Sequence, residues 1–174
     1  MSAKIISVFG SGRAKPGDST FEMAYNLGKI LAEAGFAIAN GGYGGTMLAA
    51  AKGAAQAGGE TIGVTCSAFK GSSANKYISR EIATASLDER LETLIKLADA
   101  YVILPGGTGT LLELAKIWEL KNKGFLNKDK PIILLGVFWK PLLDLVDKDD
   151  SASSKLLHQA GSIEEAIGIL KRSI

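Results

Sequence analysis

The sequence predicts an α/β fold of the Rossmann-like, doubly wound kind, a parallel sheet with helices on both faces. Three observations carry that expectation. Short apolar runs alternate with longer segments of helical periodicity, several of those runs end in glycine-rich turns, and no internal repeat or low-complexity tract interrupts the alternation. At 174 residues and 18.2 kDa the chain is expected to form one domain spanning 1–174.

The first strand is residues 5–9 (IISVF), apolar and stopped by Gly10. Strands at 36–39, 61–65, 101–104 and 131–135 have the same character, each short and bounded by glycine, proline or a polar turn. Residues 82–86 are a weaker sixth candidate, and His158 sits in a late strand-like LLHQAG. Helical spacing is clearest in 21–34, where Met23, Leu27, Ile30 and Leu31 share a face. Residues 45–57 are alanine-rich and helical, and 87–98, 110–123 and 141–146 follow. The last helix, 162–171, opens with SIEE, a capping box with Ser162 as N-cap and Glu165 three residues on. KGSSANK (70–76) is the most loop-like stretch and a candidate mobile flap.

Composition excludes several function classes. Net charge is +2, and the 20 Lys and Arg are spread too thinly to track a nucleic-acid polymer. Cys66 is alone, which rules out an internal disulfide and a multi-cysteine zinc site, and His158 cannot build a histidine metal site by itself. No metal is therefore expected. The opening MSAKIISVFG has too short an apolar run for a signal peptide, and no run approaches the ~18 apolar residues of a membrane span. A cytoplasmic protein without membrane contact is the expectation.

Ligands of such folds lie at the carboxyl ends of the strands, and three glycine-bearing loops leave strands there: 10–19, 40–45 and 105–109. A dinucleotide fingerprint fails, because Lys15 stands at the third glycine position and the second strand runs into Asn40 instead of an acid. No P-loop pattern occurs either. Anion binding survives both exclusions: glycines admit a phosphate to the unpaired N–H groups at a helix start, and Thr108 or Thr110 can add a hydroxyl.

Two charged residues sit oddly beside these loops. Glu113 lies one turn beyond Thr110 among apolar neighbours Leu112, Leu114 and Ile117. It either complements the helix dipole, paired with Lys116, or supports a cationic sugar transition state or a water. Arg90 has no acid at helical spacing. It either snorkels along an apolar stripe or reaches the crevice, where it would clamp phosphate or ribose or fix Glu113. Pyridoxal phosphate chemistry lacks a lysine within either long glycine motif, so no cofactor is expected.

PGGTGTLLE (105–113) resembles the PGGxGTxxE signature of the LOG (Lonely Guy) family, long labelled possible lysine decarboxylases. VFGSGRAKPG (8–17), NGGYGGTMLAAAKGA (40–54) and the arginine of DER (88–90) extend the resemblance over most of the chain. It implies a Rossmann-like homodimer acting as a nucleoside 5'-monophosphate phosphoribohydrolase. The bond cleaved would be the N-glycosidic bond of AMP or a cytokinin riboside monophosphate. Carried over by position, Arg90 and Glu113 are the implied catalytic pair. The implied phosphate and substrate contacts are Gly10, Ser11, Gly41, Gly42, Gly44, Gly45, Met47, Gly106, Gly107, Thr108, Gly109 and Thr110. Two positions depart from the plant-type pattern, Leu91 for a lysine and Leu112 for an acid. Molybdenum cofactor carrier proteins, which share the fold and bind a phosphorylated pterin without turnover, are the alternative from another class. Apolar residues Leu111, Leu114, Ala115 and Trp118 on one helix, widened by Ile117 and Leu120, further predict self-association.

Overall fold

A computed structural model describes residues 3–70 and 73–174. Its seven strands are β1 (Ile5–Phe9), β2 (Ala37–Asn40), β3 (Thr61–Cys66), β4 (Arg80–Thr84), β5 (Ala100–Ile103), β6 (Ile132–Leu135) and β7 (His158–Ala160). All pair in parallel, in the order β4-β3-β2-β1-β5-β6-β7. The expected doubly wound sheet is present.

The helices are α1 (Ser19–Glu33), α2 (Thr46–Gln56), α3 (Leu87–Leu97), α4 (Thr108–Asn122), α5 (Lys140–Asp147), α6 (Ser151–Ser154) and α7 (Ile163–Ser173). Strand residues of one parity, such as Ile6, Val8, Val102 and Leu104, pack against α1, α2 and α7. The other parity, including Phe9, Tyr101 and Ile103, packs against α3, α4 and α5. Parallel strands covered on both faces must be apolar on both, which is why they read as continuous runs instead of alternating ones. Helices α1 and α2 touch backbone to backbone: a Cβ on Gly28 would overlap Ala50, and one on Gly53 would overlap the Tyr25 carbonyl.

Three elements differ from expectation. β4 starts two residues earlier than the 82–86 candidate and is largely exposed, because it is an edge strand with one neighbour. A single-turn helix, α6, was not anticipated; Asp150 caps it by accepting from the Ser153 N–H. α4 begins at Thr108 rather than 110, so the glycine-rich signature itself forms the helix start. The Ser162 cap is as expected, accepting from the Glu165 N–H.

The winding fixes where a ligand can sit. From β1 the chain steps outward through β2 and β3 to β4, then returns through α3 to β5 on the opposite side of β1. The loops after β1 and β5 therefore diverge to opposite faces and leave a crevice between them.

Candidate functional site

The crevice at this switch point encloses about 610 Å³ and draws on every glycine loop. Its floor is the end of β1 and the turn Gly10–Ser11–Gly12, one wall is the α4 start from Gly107 to Glu113, and the other is Gly41, Tyr43, Met47, Phe69 and Arg90. The loops are tied together beneath it. The Ser11 N–H donates to the Pro105 carbonyl at 3.0 Å, and the Thr46 N–H to the Ser11 carbonyl at 2.9 Å.

The bend before α4 has the free donors that an anion needs. None of the amides from Gly106 to Thr110 donates to an acceptor among the described residues, and no side chain caps the helix. The first intrahelical bond here is Leu111 N–H to the Gly107 carbonyl. Those N–H groups and the positive end of a 15-residue helix face the crevice together. Thr110 is buried against Gly106, where any Cβ would collide with its side chain, whereas Thr108 is exposed at the rim.

Glu113 looks across the crevice at Arg90. The carboxylate is half-buried and has no hydrogen bond or ion pair among the described residues; the expected Lys116 pairing is not formed. Loss of water raises its pKa to about 7, and attraction to Arg90 only partly offsets that rise. Its ionisation therefore falls in the neutral range, well above that of an ordinary glutamate.

Arg90 does not snorkel. It is 7% exposed, and its Nε donates to the Val64 carbonyl at 2.7 Å. Its guanidinium lies 5.4 Å from the Tyr43 ring centre and 5.6 Å from that of Phe69, with Met47 Sδ 3.8 Å from one terminal nitrogen. Burial lowers its pKa, and the Glu113 charge opposes that shift. Arg90 forms no ion pair with Glu113 or any other acid among the described residues, and no buried side-chain donor is left unpaired. The remaining guanidinium N–H groups must then open onto the crevice. Tyr43 is itself fixed, because its hydroxyl accepts from the Cys66 N–H at 2.8 Å and donates to the Cys66 carbonyl at 3.2 Å.

The crevice thus gathers Arg90, Glu113, Gly10, Ser11, Gly41, Met47, Gly107, Thr108, Gly109 and Thr110. Gly106 lines the adjoining hollow beside Ser11 and Arg13. Gly42, Gly44 and Gly45 form no part of the lining. Gly42 has φ 77°, and its N–H is taken by the Asn40 side chain. Gly45 has φ 63° and backs onto the Ser11–Gly12 backbone as the α2 N-cap, while Gly44 is exposed. The first and last of these three serve the turn rather than a ligand. A Cβ on Gly41 would strike the Arg90 guanidinium, so that glycine makes room for the cation.

Tyr43 and Phe69 were missed in the sequence. Tyr43 was readable as an aromatic inside NGGYGG, but nothing local marks Phe69. The candidate flap 70–76 includes Gly71 and Ser72, which lie outside the described residues. Its other end is fastened: Asn75 donates from its backbone to the Gly42 carbonyl at 2.8 Å and from its side chain to the Tyr43 carbonyl at 2.9 Å. Trp118 and Trp139 belong to the core, each ring N–H donating to a buried carbonyl. Leu91, the first departure from the plant-type pattern, is buried in that core, whereas Leu112 is 46% exposed on the outer side of α4. Among the described residues no cluster of acidic, histidine or cysteine side chains could hold a metal, and no helix is long and apolar enough to cross a membrane.

Fold and crevice define a class of Rossmann-like α/β proteins whose glycine-lined cleft sits at the switch of the sheet. Within that class the chain belongs to the SLOG cluster4 family, whose profile matches residues 3–167. An uncharacterized protein of Archaeoglobus fulgidus is 32% identical over 132 residues, 76% of this chain and 84% of that protein. A probable cytokinin riboside 5'-monophosphate phosphoribohydrolase of Oryza sativa subsp. japonica is 31% identical over 83% of this chain, but the match spans 64% of that enzyme. The cytokinin riboside 5'-monophosphate phosphoribohydrolase of Mycobacterium tuberculosis is 33% identical over 66% of this chain and 61% of its own length. Among solved structures, the molybdenum cofactor binding protein from Rippkaea orientalis superposes with a TM-score of 0.80 at 28% identity, covering 99% of this chain and 98% of that one. A molybdenum cofactor carrier protein from Chlamydomonas reinhardtii gives 0.74 at 28% identity, with 98% and 96% covered.

Proposed function

We propose that this protein hydrolyses the N-glycosidic bond of a nucleoside 5'-monophosphate, of the AMP or cytokinin riboside monophosphate type, giving free base and ribose 5-phosphate. One observation carries the reading: a half-buried carboxylate with its pKa near 7 stands one turn from a bend of unsatisfied amides, opposite a buried arginine. A carrier needs the bend and the arginine but has no task for the carboxylate.

The 5'-phosphate binds the amides of 106–110, assisted by Thr108 and the helix dipole. That anchor directs the sugar toward Glu113. The base lies against Tyr43 and Phe69, with Arg90 donating to the ligand. As the C1'–N bond lengthens, positive charge grows on the sugar ring, and ionised Glu113 stabilises it or takes a proton from the attacking water. The water's hydroxyl bonds to C1', the bonding pair of the broken C–N bond leaves with the base, and the base nitrogen gains a proton. No metal or cofactor residue takes part. Relatives carrying the phosphoribohydrolase name at about 31–33% identity support the reaction class.

The second reading is a non-catalytic carrier of a phosphorylated pterin such as molybdenum cofactor, favoured by the superposition on the Rippkaea orientalis protein over nearly the whole chain. Incubation with AMP and chromatographic assay for adenine separates the two. The hydrolase reading expects adenine and ribose 5-phosphate in equal amounts, with Glu113→Gln abolishing turnover while nucleotide binding persists. Tight one-to-one retention of molybdenum cofactor, with no base released from any of several nucleoside monophosphates, would establish the carrier instead.

A further inference from the structure

At the opposite end of the sheet from the crevice, where β6 and β7 begin, a hollow of about 290 Å³ is lined by Lys121, Lys128, Asp129, His158 and Arg172. We propose that this hollow is a second anion site, taking inorganic phosphate or the phosphate end of a small metabolite. The proposal is independent of what the crevice does.

Lys121 is the strongest reason. It lies in the last turn of α4 and is 8% exposed, unusual for a lysine, and no acid pairs with it among the described residues. One of its three N–H groups donates to the Lys130 carbonyl at 2.7 Å, which ties down the loop after α4. That bond accounts for one donor and leaves the ammonium facing the hollow with two to spare. Lys128 from that loop and Arg172 from α7 converge on the same space, and neither forms an ion pair among the described residues. Asp129 is the lone acid in the lining, so the wall keeps a positive excess. Three separate elements bring cations to one concave spot around a lysine withdrawn from water. Asp129 attracts Lys121 but forms no contact ion pair with it, so the buried charge is only partly compensated, and a multivalent anion would supply the rest. The hollow has about half the volume of the crevice, which suits a phosphate group more than a nucleotide.

His158 opens β7 on this wall and is the chain's only histidine, so it reports on the site without ambiguity. Its pKa is held below the ordinary imidazole value by burial and then by the Lys121 and Arg172 charges. An anion seated among them must push it back up.

The test follows the His158 ring protons by NMR in the untagged full chain while inorganic phosphate is added at constant ionic strength. The site predicts a saturable change in the millimolar range and a rise of the His158 midpoint by roughly half a unit to one unit. Chloride should do neither. Lys128→Gln with Arg172→Gln, both surface replacements, should abolish the response, and Glu113→Gln should leave it intact. A response equal to that of chloride, a linear unsaturable drift, or a response that survives the double replacement would each overturn the site. Ribose 5-phosphate and pyrophosphate, run alongside, distinguish a free phosphate from a phosphate-ended metabolite as the preferred occupant.

Discussion

Replacing Glu113 with glutamine should make the protein more stable at alkaline pH and leave acid stability nearly unchanged. In the folded chain burial shifts the carboxyl's pKa up to about 7, whereas an unfolded glutamate ionises near its ordinary value of 4.5. Between those values the native state holds a proton that the unfolded chain has released, so stability falls as pH rises. The protonated group's contribution is fully present below about 4.5 and is lost once pH passes about 7. Each tenfold change in proton affinity is worth about 1.4 kcal/mol, which caps the effect at about 3.4 kcal/mol. Residual water around a half-buried group reduces this to about 1–3 kcal/mol. The attraction of Arg90 is already contained in the value near 7. Glutamine has the same shape and no charge to desolvate. Urea unfolding at pH 4.5, 7 and 9, followed by the fluorescence of buried Trp118 and Trp139, gives the comparison directly. The stability difference between variant and parent should open between about pH 4.5 and 7 and level off above that. A constant difference across that range, or a parent that gains on the variant with rising pH, would refute a desolvated carboxylate at this position.

The same ionisation predicts that kcat/KM for a nucleoside monophosphate rises through pH 7 and falls about tenfold for each pH unit below the Glu113 pKa; a flat profile between pH 5.5 and 8 would remove Glu113 from the reaction. Gly41→Ala puts a methyl group into the Arg90 guanidinium, so ligand affinity measured by calorimetry should drop at least about tenfold while far-UV circular dichroism stays unchanged. Gly106→Ala drives a methyl group into Thr110 and should likewise weaken phosphate binding, with little effect on the pH-dependent stability term. For the expected homodimer, exposed Leu87 on α3 and Leu111 and Leu112 on α4 supply apolar surface, and Leu112→Glu should shift sedimentation toward monomer without unfolding the chain.

Most of the fold was legible because its strands are covered on both faces. β1, β2, β3, β5 and β6 are mainly apolar runs, with Ser7, Asn40, Thr61 and Thr65 as buried polar exceptions, and all but β3 reach a glycine or proline within two residues of their C-terminal ends; burial demands that pattern. Legibility fails where that demand lapses. β4 has one neighbour and an exposed face, so Arg80 and Glu81 can stand in it and the hydrophobic signal starts late. α6 is one turn whose only mark is the Asp150 cap. The wide apolar stripe of α4 calls for a second surface beyond the core, and the helix does divide it: Leu114, Ile117 and Trp118 face the core, while Leu111 and Ala115 face outward.

The site was legible in its backbone parts and opaque in its side-chain partners. Glycine and threonine at a helix start advertise free amides, since the geometry is local to ten residues. Arg90 could not be read that way. Nothing near it in sequence says that it will meet the Val64 carbonyl, Tyr43 and Phe69, because those come from β3, the second glycine loop and the β3–β4 connection. The absence of an acid at helical spacing was the usable clue. It showed that Arg90 had no local partner, and a buried guanidinium without one must find its acceptors across the fold.

That arrangement also explains how one scaffold can serve both carriers and hydrolases. Under the proposed function the bend, the glycine loops and the caged arginine would recognise a phosphate-ended ligand in either case. In the proposed hydrolysis Glu113 is the group that holding alone would not need, and its neighbourhood sets its charge. In the crevice dehydration favours the neutral form of the group and Arg90 the ionised one. A bound phosphate monoanion or dianion would disfavour ionised Glu113 by repulsion, while positive charge growing on the sugar would favour it by attraction. In the proposed reaction the ionised carboxylate therefore interacts more favourably with the transition state than with substrate at rest, which is the differential that accelerates a reaction. A pterin that never develops positive charge beside Glu113 gives it nothing to stabilise, and the same cleft would then simply hold its ligand.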